Sequence, residues 1–221
     1  KAILGFFGPI MYHLMFFIVS KISLLISCRE YILRNMLGEI VAPSQITSQW
    51  LINHKEFEIN KPKLLYVGRI RKEKGIYSLL QLIKENKEDF TLSIVGAEKN
   101  SLTQIVQDSV NVYEVENNEQ NLIKFYDEHN IFILPSYTEG HPMVLLEALA
   151  RLRPVIIFKD IEHVVGDKKG IFIADRSYSS LLEKISYIKK NYKNIQQEMK
   201  KNKLPTKEEF LLKFSNLILK S

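Results

Sequence analysis

Two carboxylates, Glu139 and Glu147, flank the start of an otherwise apolar run, and their spacing is suited to gripping a ligand from one side. The stretch reads Leu134-Pro135-Ser136-Tyr137-Thr138-Glu139-Gly140-His141-Pro142, followed by Met143, Val144, Leu145 and Leu146, then Ala148, Leu149 and Ala150 beyond Glu147. Pro142 suits the first turn of a helix, where its missing N–H costs no intrahelical hydrogen bond. Glu147 then falls in the second turn of a helix apolar on all sides, and a carboxylate there is costly unless it is hydrogen-bonded or reaches polar ligand groups. Carboxylates at a pocket edge can accept hydrogen bonds from sugar hydroxyls, while N–H groups near Gly140 and after Pro142 face an anion. A second charged stretch, Gly68-Arg69-Ile70-Arg71-Lys72-Glu73-Lys74-Gly75, sets cations between two glycines. The glycines permit a sharp turn, a helix beginning near Gly75 offers free N–H groups, and an arginine can hold phosphate oxygens through two N–H groups at once. The stretch has neither the ending of a Walker loop nor the dinucleotide fingerprint, and a charged surface turn would have the same composition.

These residues need elements to hold them. From Lys63 onward, short β-branched runs (Leu64 to Val67, Leu92 to Val95, Val110 to Val115, Ile131 to Leu134, Val155 to Phe158, Ile171 to Ile173) alternate with helical runs. The helical runs are Tyr77 to Glu85, Leu102 to Asp108, Asn121 to His129, Met143 to Arg151 and Tyr178 to Tyr192, and a last one spans Lys207 to Leu219. That alternation predicts an α/β fold with a doubly wound parallel sheet, and the continuous apolarity of the strands predicts helices on both faces. Ligands in such folds bind beyond the carboxyl ends of the strands, which is where both charged loops fall.

The chain before Lys63 has a different texture. Met11 to Leu37 has helical periodicity, Glu39 to Pro43 reads as a short strand, and a helix carrying Trp50, Leu51 and Ile52 follows, capped by Ser44 or Thr47. The polar stretch His54 to Lys63 reads as a linker. Ala2 to Ser20 carries no Asp, Glu, Lys or Arg, close to the roughly 20 apolar residues of a membrane span. Gly5, Gly8, Pro9 and His13 interrupt it, which favours a buried strand-turn-helix or an interfacial segment. A chain starting at Lys1 reads as a fragment.

The net charge of +6 and the pI near 9.2 suit an anionic partner. The late lysines Lys189, Lys190, Lys193, Lys200, Lys201 and Lys203 read as a solvated helix face, and cations not interleaved with exposed aromatics argue against nucleic acid. The single cysteine, Cys28, excludes an intrachain disulfide and fits a reducing compartment, and no His/Cys cluster has metal-ligand spacing.

Glu139 and Glu147, within Pro-Ser-x-x-Glu-Gly-x-Pro-x-x-x-x-Glu-Ala, resemble the E-x7-E motif of the GT-B retaining glycosyltransferases of the family 4 type. Val67-Gly68-Arg69 with Lys74-Gly75 resembles that family's Gly-Arg-x-x-x-x-Lys-Gly phosphate loop, and the likeness extends over Lys63 to Ile188, with a weaker echo at Val41 to Trp50. The resemblance implies a GT-B type, Rossmann-like donor domain over 61–205, preceded at 1–60 by a remnant of the acceptor-side domain and followed at 206–221 by a C-terminal helix. It implies that Arg69 and Lys74 hold the donor diphosphate, that Glu139 contacts the donor sugar, these three being the catalytic set, and that Glu147 contacts the ribose hydroxyls. Gly68, Gly140, His141, Pro142, Met143 and Val144 complete the donor site. The implied reaction moves a hexose from a nucleotide-diphosphate-sugar to a glycan or lipid-linked acceptor with retained configuration and without a metal or other cofactor. It belongs to surface polysaccharide synthesis, in the cytoplasm or at the cytoplasmic face of the membrane with peripheral contact. The alternatives are a non-catalytic donor-binding subunit or half that needs a partner domain, and a sugar-nucleotide epimerase of similar architecture. The sequence departs from the family pattern at Leu152, which stands at a glycine position, and in a short Lys159 to Gly170 segment with Glu162 as the counterpart of the family's glutamate.

Overall fold

The structure, a computed structural model, describes residues 2–23, 25–28, 33, 38–55, 59–84, 90–97 and 110–219. The chain divides into two compact units, one formed by the segments before Gln45 and after Leu204, the other by Gln45–Leu204.

The larger unit is built on β3 (Lys63–Val67), β4 (Thr91–Ala97), β5 (Val110–Glu114), β6 (Ile131–Leu134), β7 (Val155–Phe158) and β8 (Ile171–Ala174). All pair in parallel, in the spatial order β5-β4-β3-β6-β7-β8. The chain therefore starts at the centre, runs outward through β4 and β5, and returns to the other side of β3 with β6. The reversal creates a switch point between β3 and β6, where the loops leaving the two strands part and open a crevice. Central strands are buried along their length: Leu64, Leu65 and Tyr66 on β3, all of β6, all of β7. That continuity is what cover by helices on both faces requires. The α/β class and the parallel sheet expected from the sequence are present.

Helices pack by the periodicity their sequences carry. In α2 (Ile76–Ile83), Ile76, Leu79, Leu80 and Ile83 turn inward at three- and four-residue spacing. The helix α3 (Glu119–Glu128) begins at Asn118, whose side chain accepts from the Asn121 N–H, and α4 (Met143–Ala150) begins at Pro142. The long α5 (Tyr178–Met199) is capped by Ser177, buries Leu181, Ile185, Ile188 and Tyr192, and kinks at Asn191. The helix expected at Trp50 is instead a single 3-10 turn, Ser48–Leu51. Its indole explains why: Trp50 is buried, donates to Glu119 Oε1 at 2.8 Å and meets Tyr126 edge-on at 5.4 Å, so one anchored side chain sets the local path rather than a repeating face. The helix expected over Leu102 to Asp108 lies outside the described residues.

In the smaller unit, α1 (Ala2–Ile22) precedes β1 (Ile26–Ser27), which pairs in parallel with β2 (Glu39–Ile40). The single helix read from Met11 to Leu37 is thus broken after Ile22, because Ile26 and Ser27 are strand; Leu33 is helical, and the rest of 29–37 lies outside the described residues. The buried strand-turn-helix reading of Ala2 to Ser20 is corrected too. The segment is one helix that includes Pro9, and Ile10, Met11, Tyr12, Leu14, Met15, Phe17 and Ile18 are exposed. Glycines weaken a helix by about 1 kcal/mol each without ending it. Among the described residues, no helix is long and apolar enough to cross a membrane. The helix α6 (Lys207–Ile218) opens with a reciprocal cap between Thr206 and Glu209, and Lys213 Nζ donates to the Ile40 carbonyl at 2.6 Å.

Candidate functional site

β3 delivers its chain to the switch point through a turn that glycine alone permits. Gly68 has φ 152° and donates to the Val95 carbonyl at 2.9 Å. The Tyr66 hydroxyl donates to the Arg69 carbonyl at 2.8 Å and fixes the backbone that carries the Arg69 side chain. Burial, and after it the Glu139 carboxylate, hold the Tyr66 phenol well above its ordinary pKa, so it remains a donor at neutral pH. The 3-10 turn Lys72–Lys74 then closes on Gly75, in the left-handed region at φ 68°. A Cβ at Gly75 would stand 1.8 Å from the Pro135 carbonyl oxygen, so the loop after β3 can touch the loop after β6 only because this residue has no side chain. The Tyr137 N–H donates to the Glu73 carbonyl at 3.0 Å and completes the seam.

Across that seam the two charged motifs meet. Lys74 Nζ lies 2.7 Å from Glu139 Oε1, and the Ser136 hydroxyl donates to the same oxygen at 2.7 Å. The Glu139 side chain is 9% exposed and that of Lys74 25%, so the pair is shielded enough for its geometry to be held. His163 Nε2 lies 2.8 Å from the Glu139 carbonyl oxygen.

Beside the pair opens a cleft of about 320 Å³, lined by Tyr66, Val67, Gly68, Arg69, Lys74, Leu134, Glu139, His141, Pro142, Met143 and Val144. Eight residues singled out from sequence thus share one cavity: Gly68, Arg69, Lys74, Glu139, His141, Pro142, Met143 and Val144. Met143 and Val144 belong to the first turn of α4, whose N–H groups have no intrahelical acceptor and carry the positive end of the helix dipole. Arg69, Lys74 and this helix end make the cleft a cation-lined hollow suited to an anion of phosphate type.

Gly140 and Glu147 are not among the lining residues. Gly140 is exposed, and a Cβ there would meet nothing within 4 Å. Glu147 is 7% exposed and accepts from the Tyr126 hydroxyl at 2.8 Å. Burial raises its pKa, with the Tyr126 hydrogen bond opposing. The cost of a carboxylate in an apolar helix is therefore met by an internal donor.

Sequence reading passed over Tyr66, whose hydroxyl reaches the Arg69 carbonyl three residues on, and His163, which meets Glu139 through a contact that only the tertiary fold creates. Leu152 adopts the left-handed region, at φ 56°. Gln196 Nε2 donates to its carbonyl at 3.0 Å, and the flanking Arg151 and Arg153 are buried, so tertiary packing holds a leucine in a glycine conformation. A second hollow, about 310 Å³, is lined by Ile59, Lys189, Lys190, Asn191, Tyr192, Lys193 and Asn194 at the kink of α5. Its cations ride on a helix face, and Lys189 Nζ donates to the Asn60 carbonyl at 2.8 Å. Among the described residues, no group of three or more His, Cys, Asp or Glu could hold a metal ion.

Residues 50–204 match the family model of glycosyl transferases group 1. Among curated proteins, the chain is 33% identical over 129 residues to TuaC of Bacillus subtilis (strain 168), a glycosyltransferase assigned to teichuronic acid biosynthesis, covering 55% of this chain and 31% of that protein. It is 30% identical over 133 residues to the capsular polysaccharide biosynthesis glycosyltransferase CapM of Staphylococcus aureus, covering 54% and 34%. Among solved structures, sucrose-phosphate synthase from Thermosynechococcus elongatus superposes with a TM-score of 0.65 at 20% identity, covering 86% of this chain and 55% of that one, a likeness of fold. The matched stretch spans about a third of the length of these two curated relatives.

Proposed function

Because the chain belongs to the glycosyl transferases group 1 family, we propose that the cleft at the switch point binds a nucleotide-diphosphate-sugar for transfer to a glycan or lipid-linked acceptor. The observation that carries this reading is the convergence of Arg69, Lys74, Glu139 and the first turn of α4 on one cavity. Cleaving a glycosyl–phosphate bond leaves negative charge on the departing diphosphate, and donors already fixed around that charge lower the barrier most. In the proposal Arg69 and Lys74 take the diphosphate, with the Met143 and Val144 N–H groups beside them. Glu139 accepts from sugar hydroxyls, its orientation held by Lys74 and Ser136.

Retention of configuration, hexose as the sugar, contact of Glu147 with the ribose, and a reaction without a metal are proposed on the strength of the E-x7-E resemblance. The names of TuaC and CapM support a place in surface polysaccharide synthesis. The net charge of +6 and the exposed apolar residues of α1 support work at the cytoplasmic face of an anionic membrane.

Calorimetric titration with UDP-, GDP- and dTDP-sugars tests the proposal. One of them should bind, and binding should weaken strongly in Arg69→Ala; a chain that binds none, or a variant that binds like the parent, sinks the site.

A further inference from the structure

Arg176 lies on the turn between β8 and α5, at the edge of the sheet, yet its guanidinium acts two strands away. Nη2 donates to the carbonyls of Pro135 at 2.8 Å and Ser136 at 2.9 Å, the first residues after β6. Nε donates to Asp160 Oδ2 at 2.8 Å, just after β7. The guanidinium carbon sits 3.8 Å from the centre of the Tyr137 ring and 4.7 Å from that of Phe158. One planar group thus ties together the chain leaving β6, β7 and β8. Its Nη1 is buried without a hydrogen-bond partner, and a Cβ on Gly75 would stand 3.4 Å from it. An unpartnered buried donor is costly, so the contacts on its other edge and its faces are what keep the plane in place.

The two carbonyls it holds belong to the loop that aims the site. Ser136 sends its hydroxyl to Glu139 Oε1, the oxygen that also takes Lys74. Arg176 itself is not among the residues lining the cleft. We infer that Arg176 is a positioning residue for the sugar side of the cleft, acting through Pro135 and Ser136 on the orientation of Glu139; this rests on the donor-binding reading above. A lysine cannot replace it, because the task needs two edges and a flat face, which an ammonium lacks.

The inference separates two affinities. The diphosphate is held by Arg69 and Lys74, which Arg176 does not touch, whereas the sugar is held through Glu139. Calorimetry on the 221-residue chain, R176A and R176K should therefore use matched pairs, UDP with UDP-glucose and GDP with GDP-mannose. Expected is nucleoside-diphosphate affinity within about twofold of the parent in both variants, with the added affinity for the nucleotide-sugar reduced by about tenfold, the scale of a charge-assisted hydrogen bond lost. Equal loss of both affinities marks a purely structural role and overturns the inference, as does loss of neither, or full restoration by lysine. Amide hydrogen exchange at Tyr137 without ligand judges the clamp separately. Faster exchange in R176A, with a parent that binds no nucleotide, overturns the donor reading and supports the clamp; unchanged exchange overturns the clamp whatever binds.

Discussion

Two arginine-rich regions lie in the larger unit, and they use charge in opposite ways. Behind α4, Arg151 and Arg153 are each 1% exposed, and Asp127 accepts from both. Arg151 donates further to the carbonyls of Trp50 at 3.0 Å, Ile52 at 2.7 Å and Asn53 at 3.0 Å, and Arg153 to those of Tyr126 at 2.9 Å and Lys55 at 3.1 Å. These guanidinium groups are answered from inside the fold, and they fasten the segment entering the unit to the end of α4. At the switch point, Arg69 is exposed on the cleft wall and Lys74 shares a single carboxylate oxygen with Ser136. Cations answered internally hold structure, whereas Arg69, exposed on the hollow, is placed to meet an anion, with Lys74 tied to Glu139 on the same wall.

The contrast can be broken from either side. Asp127→Ala should have the largest effect, since it leaves two buried guanidinium groups facing each other, and losing one partner of a buried pair costs about 3–5 kcal/mol. Urea unfolding would read this, and the remaining folded protein should still bind nucleotide; a loss under about 1 kcal/mol would mean the network is not structural. Arg69→Ala is the mirror image, with nucleoside-diphosphate affinity down by about 2 kcal/mol and the unfolding midpoint unmoved. Glu139→Gln should weaken nucleotide-sugar binding about tenfold while changing nucleoside-diphosphate binding little, and an equal loss of both would place Glu139 with the diphosphate instead.

The smallest effect belongs to Glu147. Its folded-state pKa is raised by burial, so the native state keeps its proton longer than the unfolded chain does. That contribution to stability is complete below the ordinary glutamate value and is lost as pH rises through the folded value. Glu147→Gln, which imitates the protonated form and can still accept from Tyr126, should match the parent below about pH 4 and exceed it by under about 1 kcal/mol at neutral pH. Urea unfolding across pH would show the divergence, and a constant difference would remove Glu147 as its source.

The sheet was legible because most strands are short apolar runs set between helical stretches, with Asn111 and Glu114 the exceptions on β5, and the two loops because charged residues beside glycine or proline follow the ends of β3 and β6. Strand order was not legible, yet it is what brings Lys74 against Glu139 from 65 residues away. The turn at Trp50 escaped a periodicity argument because one indole, bonded to Glu119, overrides the local pattern. Arg176 escaped because its sequence neighbourhood, Asp175-Arg176-Ser177, is that of an ordinary turn; only the parallel order β6-β7-β8 puts its guanidinium over Pro135. Both carboxylates were read from their spacing, but that Glu139 stands on the cleft wall while the Tyr126 hydroxyl donates to Glu147 was not legible, since Tyr126 lies 21 residues away on another helix.

The central claim is that an anionic donor sits at the switch point, and a crystal structure of the chain with a saturating nucleoside diphosphate tests it most directly. The phosphorus atoms should lie between Arg69, Lys74 and the first turn of α4, within hydrogen-bonding distance of the guanidinium and the Met143 or Val144 N–H. A diphosphate found instead against Lys189, Lys190 and Lys193 at the kink of α5 would contradict the account.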